Sequence, residues 1–155
     1  MRLIPLREQK TDFELFLAMW NDFLLEQGSE TKSKEQLRST LKEKLLDSTR
    51  ELFLIEAQNK VVGFSEVFLE EECFPDEDLP EVCLKVPAFY IQPAFREHSF
   101  GHQAFKLVRQ WGREKEAALL ETEVSKKLEE SNKFLQEQGL ELVGSGQRNI
   151  WRGFI

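Results

Sequence analysis

The chain has 155 residues, of which 41% are hydrophobic and 32% are charged, and its formal net charge is −7. This length suits one domain that buries roughly 70% of the surface of its unfolded chain, so we expect a single domain over residues 1–155. The composition is too apolar for a disordered chain, and the negative charge argues against sequence-independent binding to nucleic acid.

No apolar run approaches the roughly 18 residues of a membrane-spanning helix, and the charged start MRLIPLREQK lacks the apolar core of a signal peptide. Cys73 and Cys83 do not form the spacing of a disulfide framework or a zinc site. We therefore expect a cytoplasmic protein with no membrane contact and no bound metal.

The chain begins with a short predicted strand, RLIPL, and a long predicted helix. Thr11 and Glu14 have the spacing of a capping box, and Gly28 is placed to end the helix. Four aromatic residues at helical spacing indicate a buried helix face rather than a ligand site. They are Phe13, Phe16, Trp20 and Phe23.

A second helix is predicted from Ser33, with Gln36 in the box position. The strands ELFLIEA and KVVGFSEVFLE then flank Gln58 and Asn59, which predicts a β-hairpin. Residues 66–81 follow and hold eight carboxylates with no Lys or Arg. This acidic segment is either a solvated loop or a negative field that attracts a cationic ligand.

The second half of the chain predicts a strand, a helix, a strand, a helix and two strands. Pro87 interrupts the first of these strands, CLKVPAFYIQ, and indicates an edge, a bulge or a strand start because proline cannot donate to a ladder. The remaining elements are a helix over about 101–115, a strand over 117–124, a helix over about 126–138 ended by Gly139, and two strands around GSG. This order predicts one α/β domain (α+β in some schemes) with a mixed sheet.

A loop motif follows the strand that contains Pro87. Residues 90–93 read YIQP, and Arg96, Ser99 and Gly101 come next. This stretch resembles the cofactor loop of the GNAT family of acetyl-CoA-dependent N-acetyltransferases, which reads Arg or Gln, two residues, Gly, one residue, and Gly or Ala. Ser99 stands in the first Gly position. The likeness covers essentially the whole chain and implies a mixed, mostly antiparallel sheet flanked by about four helices.

The resemblance also implies acetyl-CoA as the cosubstrate. Backbone N–H groups and the dipole at a helix N-terminus favour a pyrophosphate, and the family's bulged strand opens a V-shaped slot for the pantetheine arm. For the two histidines of the loop, added charge near the phosphates and simple solvent exposure both stay open. The residues assigned to the cofactor are Tyr90, Ile91, Arg96, Glu97, His98, Ser99, Phe100, Gly101, His102 and Ser131.

Within the family, the chain is most similar to bacterial aminoglycoside 6′-N-acetyltransferases, in PAFYIQPAFRE and, less specifically, in residues 130–154. This likeness implies acetyl transfer to a primary amine of a cationic small molecule, aminoglycoside- or polyamine-like, by direct attack in a ternary complex. A peptide amine is the alternative acceptor. The family's topology places the acidic segment beside the acceptor pocket.

Glu123 is the candidate general base, with Glu66 next, because carboxylates on central strands are costly to bury unless they face a wet cleft. Pairing of both carboxylates with Lys or Arg is the alternative. Tyr90, the chain's one tyrosine, is the candidate acid, and Ser131 is the hydroxyl nearest the family's usual place. Residues that the family often uses are replaced by Pro87 on the strand and by Leu128 and Leu135 in the last helix.

Those replacements keep two other readings open. One is an acyl-CoA-binding or partner-binding protein of the same fold without catalysis. The other is an interaction domain without a cofactor whose acidic segment binds a basic protein. Trp151 fits either a pocket wall or a dimer contact, so a homodimer also stays open.

Overall fold

A computed structural model describes residues 1–7, 10–30, 32–72 and 81–155, apart from the side chains of residues 10 and 72. The elements follow the predicted order. The strands are β1 (Arg2–Pro5), β2 (Arg50–Ala57), β3 (Lys60–Glu72), β4 (Glu81–Ile91), β5 (Leu119–Ser125), β6 (Glu141–Ser145) and β7 (Arg148–Phe154). The helices are α1 (Lys10–Glu26), α2 (Lys34–Leu45), α3 (Phe100–Glu114) and α4 (Glu129–Glu137), with a 3-10 turn at Pro93–Phe95.

The seven strands form one sheet in the order β1-β2-β3-β4-β5-β7-β6. β4 and β5 run parallel, and every other neighbouring pair is antiparallel. The predicted mixed, mostly antiparallel sheet with four helices is therefore confirmed. No helix among the described residues is long and apolar enough to cross a bilayer.

Alternate residues of β2 pack into different cores, so helices cover both faces of the sheet. Leu52 and Leu54 belong to the core under α1 and α2, whereas Phe53 belongs to the core under α3 and α4. The predicted aromatic face of α1 is confirmed as core, since all four of its aromatic side chains are buried in the core under α1 and α2.

The ends of α1 show one prediction confirmed and one wrong. Gly28 has φ +72°, and the N–H of Ser29 donates to Leu24 O, so the helix ends where predicted. Thr11 lies inside the helix, which begins at Lys10, and does not cap it. Glu14 instead forms an ion pair with Arg38 of α2, because the tertiary contact outweighs the local pattern.

Other local predictions are confirmed. Ser33 Oγ accepts from Gln36 N at 3.2 Å, and Gln36 Oε1 accepts from Ser33 N at 2.9 Å, which is the expected capping box. Gln58 and Asn59 both have positive φ, as a two-residue hairpin turn requires. Gly139 ends α4 with φ +81°. Residues 73–80 of the acidic segment, including Cys73, lie outside the described residues.

α4 begins at Glu129, later than the predicted residue 126. Residues 125–128 form a turn instead, in which Leu128 N donates to Ser125 O at 3.2 Å. The Asn132 amide donates to the carbonyl oxygens of Ser125 and Leu128, and these bonds hold the turn against the start of the helix.

Candidate active site

A bulge in β4 creates the site. The register between β3 and β4 shifts between Glu66 and Phe68, so that Val86 and Pro87 together lie opposite one residue of β3. The bulge that Pro87 indicated is confirmed. The bulge also changes the face of the sheet on which alternate side chains of β4 lie. Val86 packs into the core under α3, whereas Ala88, two residues later, packs into the core under α1.

Beyond the bulge, β4 and β5 separate. Their parallel pairing covers residues 83–86 and 119–122, and it ends where Thr122 Oγ1 donates to Val86 O at 2.7 Å. A cavity of about 240 Å³, which we call the slot, lies between the diverging strand ends. Its lining includes Phe23 and Glu26 of α1 and the following Gln27, Pro87, Phe89, Tyr90 and Ile91 of β4, Arg96, His98, Gly101 and His102 of the loop and α3, Thr122, Glu123 and Val124 of β5, and Glu130, Ser131, Phe134 and Leu135 of α4.

Most residues assigned to the cofactor line this slot. They are Tyr90, Ile91, Arg96, His98, Gly101, His102 and Ser131, whereas Glu97, Ser99 and Phe100 are not among its lining residues. Ser99 is the residue before the first turn of α3, and its Oγ lies 2.7 Å from the Gln103 Nε2 that donates to it.

The N-terminus of α3 opens toward the slot. Its first turn contains no acidic residue, and its first N–H groups have no partner within the helix. A Cβ atom added at Gly101 would lie 3.5 Å from Phe134 Cε2, an ordinary contact, so packing does not require glycine here. These donors are the ones that could hold a pyrophosphate.

Arg96 is bound on three sides. Its Nε donates to Ile91 O and its Nη2 donates to Glu26 Oε1, both at 2.7 Å. Its guanidinium carbon also lies 5.3 Å from the centre of the Tyr90 ring. The side chain therefore joins the end of β4 to the end of α1.

The two histidines differ in their surroundings. His102 Nδ1 lies 2.7 Å from Gln138 Nε2, and its Nε2 lies 3.8 Å from Glu137 Oε2, so α4 supplies it with partners. His98 packs against Phe100, with ring centres 5.0 Å apart. Simple exposure without a partner does not describe His102.

Tyr90 is 4% exposed and has its ring among the aromatic side chains of Phe23 and Phe64. Burial raises the pKa of its hydroxyl above the ordinary value. The negative charges of Glu26 and Asp22 also raise this pKa, and Arg96 opposes them. The phenol is therefore protonated at neutral pH.

Two carboxylates of β5 have opposite surroundings. Burial alone would raise the pKa of Glu121, but hydrogen bonds from Lys85 and Arg152 outweigh it and hold this pKa below its usual value. Lys85 Nζ and Arg152 Nε each lie 2.8 Å from a carboxylate oxygen. Glu123 is exposed and lines the slot, and its carboxylate has no hydrogen bond or ion pair with a described residue. The alternative of ion pairing therefore does not describe Glu123, whereas Glu121 on the same strand is ion-paired.

Glu66 is 4% exposed and lies outside the set of residues that line the slot. Lys44 Nζ is 2.6 Å from its carboxylate, and Arg50 binds the same oxygen. This position corrects the expectation of Glu66 as the second candidate base: it is an ion-pairing residue between α2 and the sheet.

The sequence reasoning missed the contribution of α1. Glu26 and Gln27 line the slot, and Gln27 Oε1 accepts from Ser125 N at 3.2 Å and from Arg148 Nη2 at 2.9 Å. The end of α1 therefore reaches both sides of the slot. Gly28 indicated where α1 ends in the sequence. No local pattern indicates that the end of this helix contacts residues on both sides of the slot.

Trp151 is buried, and its Nε1 donates to Asn132 Oδ1 at 2.9 Å. It is not among the residues that line the slot. Trp151 is thus a core residue and not a wall of the slot, and a homodimer stays a prediction.

A sequence model of the family described as "Acetyltransferase (GNAT) family" matches residues 15–140. The chain therefore belongs to the GNAT acetyltransferase family, whose members use acetyl-CoA as cosubstrate. No curated protein is a significant match to the chain.

Several solved structures share the fold. A transcriptional regulator from Bacillus halodurans has 17% identity and a TM-score of 0.76, over 94% of this chain and 97% of that one. An acetyltransferase from Thermus thermophilus has 18% identity and a TM-score of 0.72, over 100% and 98%. A ribosomal-protein-alanine N-acetyltransferase from Brucella melitensis has 18% identity and a TM-score of 0.71, over 99% and 100%. At these identities the likeness shows the fold alone.

Proposed function

We propose that this protein transfers the acetyl group of acetyl-CoA to a primary amine of a cationic small molecule, by direct attack in a ternary complex. The observation that carries the proposal is the slot itself. It begins at the open N-terminus of α3 and reaches Glu123, the carboxylate of β5 that has no partner among the described residues. The pyrophosphate would bind at α3, and the pantetheine arm would follow the open edge of β4 past Ile91 and Tyr90.

The chemistry needs a neutral amine, a thioester and a proton for the leaving thiolate. Glu123 would accept a proton from the acceptor ammonium or amine, directly or through water. The neutral amine nitrogen then attacks the thioester carbonyl carbon and releases its excess proton to water, the C–S bond breaks, and Tyr90 donates its proton to the sulfur. A thiolate whose conjugate acid has a pKa of about 8.5 needs little help to leave, and water and Ser131 are the alternative proton donors.

The charge of the slot supports a cationic acceptor. Three lining carboxylates, Glu26, Glu123 and Glu130, face one lining arginine, Arg96, which gives a formal charge of +1 − 3 = −2 with the histidines neutral. A negative cleft attracts amines and disfavours anionic acceptors. Aminoglycosides and polyamines are the proposed class, and for the aminoglycosides the support is the two similar sequence stretches.

One observation favours a second candidate, an acyl-CoA-binding protein without catalysis. Leu128 and Leu135 occupy the places of the polar residues that the family often uses, and Leu135 is buried at the wall of the slot. If this candidate is right, acetyl-CoA binds but no amine in a broad panel is acetylated.

Replacing Glu123 tests the proposal. In Glu123→Gln, we expect kcat with the best polyamine or aminoglycoside acceptor to fall about 100-fold or more, because the variant cannot accept a proton. Initial rates at saturating acetyl-CoA measure this change. Glu129→Gln is the matched control, since Glu129 is an exposed acid on α4 outside the slot lining. Equal kcat values for both variants would exclude Glu123 as the base.

A further inference from the structure

We infer that Arg96 is a positioning residue for the Tyr90 hydroxyl and that Glu26, the last residue of α1, holds Arg96 in place. The inference deepens the proposed function, because it rests on Tyr90 as the proton donor to the leaving thiolate. It assigns the arginine of the loop motif a task other than direct binding of the cofactor phosphates.

The contacts of Arg96 carry the inference. Its two hydrogen bonds go to Ile91 O on β4 and to Glu26 Oε1 on α1, and the flat guanidinium lies against the Tyr90 ring. These three partners surround the cation on the side of the strand and of α1. The donors available to a pyrophosphate are the backbone N–H groups at the start of α3, which need no arginine side chain.

Glu26 gives this arrangement its geometry. A planar guanidinium bound at two nitrogens has little freedom to rotate, so the carboxylate and the Ile91 carbonyl together fix its position over the ring. The Glu26–Arg96 pair is partly exposed, with side-chain exposures of 35% and 41%. The pair therefore orients the guanidinium and contributes little to the free energy of unfolding.

The electrostatics agree with the geometry. When Tyr90 gives its proton to sulfur, a phenolate forms in a buried place beside the negative charges of Glu26 and Asp22. The adjacent guanidinium stabilises that phenolate, and Arg96 accordingly opposes the rise in the pKa of Tyr90. Water returns the proton to the phenolate after the step. The other titratable side chains of the slot are His98, His102, Glu123 and Glu130.

The chain offers a direct readout, because Tyr90 is its single tyrosine. Ultraviolet difference absorbance of the phenolate therefore reports the titration of Tyr90 alone. In Arg96→Gln we expect the apparent pKa of Tyr90 to rise by about half a unit or more. Arg113→Gln, at the other end of α3, should leave it unchanged. Far-ultraviolet circular dichroism at each pH shows whether the protein remains folded.

Kinetics provide the second measurement and cover the case in which alkaline unfolding hides the titration. We expect Arg96→Gln to lower kcat about 10-fold while the Kd for acetyl-CoA changes less than about threefold, with partial rescue of kcat in Arg96→Lys. A large loss of acetyl-CoA affinity with an unchanged Tyr90 titration would overturn the inference and make Arg96 a phosphate ligand.

Tyr90→Phe separates this inference from the proposed function. If acetyl transfer occurs at full kcat in Tyr90→Phe, then Tyr90 is not the proton donor and the positioning role is overturned, while acetyl transfer itself stands. If the wild type acetylates no amine, the proposed function fails, yet the Tyr90 titration still tests the contact with Arg96.

Discussion

At the scale of single residues, surroundings rather than residue type decide what a carboxylate does. Glu66 and Glu123 both lie on central strands, and the sequence ranked both as candidate bases. Lys44 from α2 and Arg50 from the start of β2 neutralise Glu66, whereas no described residue pairs with Glu123. Sequence could not separate them, because the two cations come from other elements of the fold.

The ion pairs of Glu66 lead to a stability prediction. Glu66→Gln leaves the cations of Lys44 and Arg50 without their carboxylate at a buried position, so we expect it to lower the free energy of unfolding by about 3 kcal/mol or more. Urea denaturation followed by tryptophan fluorescence measures this change.

Glu51→Gln is the control for that measurement. Glu51 lies on the neighbouring strand β2 and pairs with the exposed Arg7 at 3.2 Å, so its replacement should cost at most about 1 kcal/mol. Equal losses in the two variants would show that Glu66 is no more important to the fold than a surface acid.

At the scale of elements, the order of strands and helices could be predicted from the sequence. Hydrophobic periodicity and turn chemistry depend only on residues that are close together in the chain. Pro87 indicated the bulge for the same reason, since a missing N–H prevents continuous pairing. The errors have tertiary causes: Glu14 pairs with α2 instead of capping α1, and the end of α1 reaches the slot through Glu26 and Gln27.

The contact of β3 with the part of β4 beyond the bulge gives a second prediction. A Cβ atom at Gly63 would lie 2.0 Å from Tyr90 O, a backbone atom that cannot move away without separating the strands. We expect Gly63→Ala to lower the free energy of unfolding by about 2 kcal/mol or more and to weaken acetyl-CoA binding, because it displaces the wall of the slot.

Gly101→Ala is the matched control, since a Cβ there meets its nearest neighbour at 3.5 Å in a helix that favours alanine. Chemical denaturation compares the two variants directly. A Gly63→Ala protein as stable as the wild type would show that the strands tolerate the added methyl group and that the close approach is unimportant.

At the scale of the whole molecule, the family and the fold do not by themselves define the acceptor. Membership in the GNAT family implies acetyl-CoA as the cosubstrate, and the seven-stranded sheet defines the fold, but one fold serves many chemistries. The acceptor depends on the charge and shape around Glu123. Half of the acidic segment, residues 73–80, lies outside the described residues, and the two interpretations of this segment, a solvated loop or a negative field that attracts a cationic ligand, both stay open.

We propose that the slot holds acetyl-CoA with its pyrophosphate at the start of α3. Calorimetric titration of the wild type, Gly101→Gln and Gly101→Glu tests it most directly, because the two variants differ in charge and hardly in size. We expect micromolar binding for the wild type, a loss of at most about tenfold in Gly101→Gln, and a further loss of about tenfold or more in Gly101→Glu, since a carboxylate there repels the phosphates. Equal affinities of the two variants, or no binding by the wild type, would show that the pyrophosphate does not bind at the start of α3.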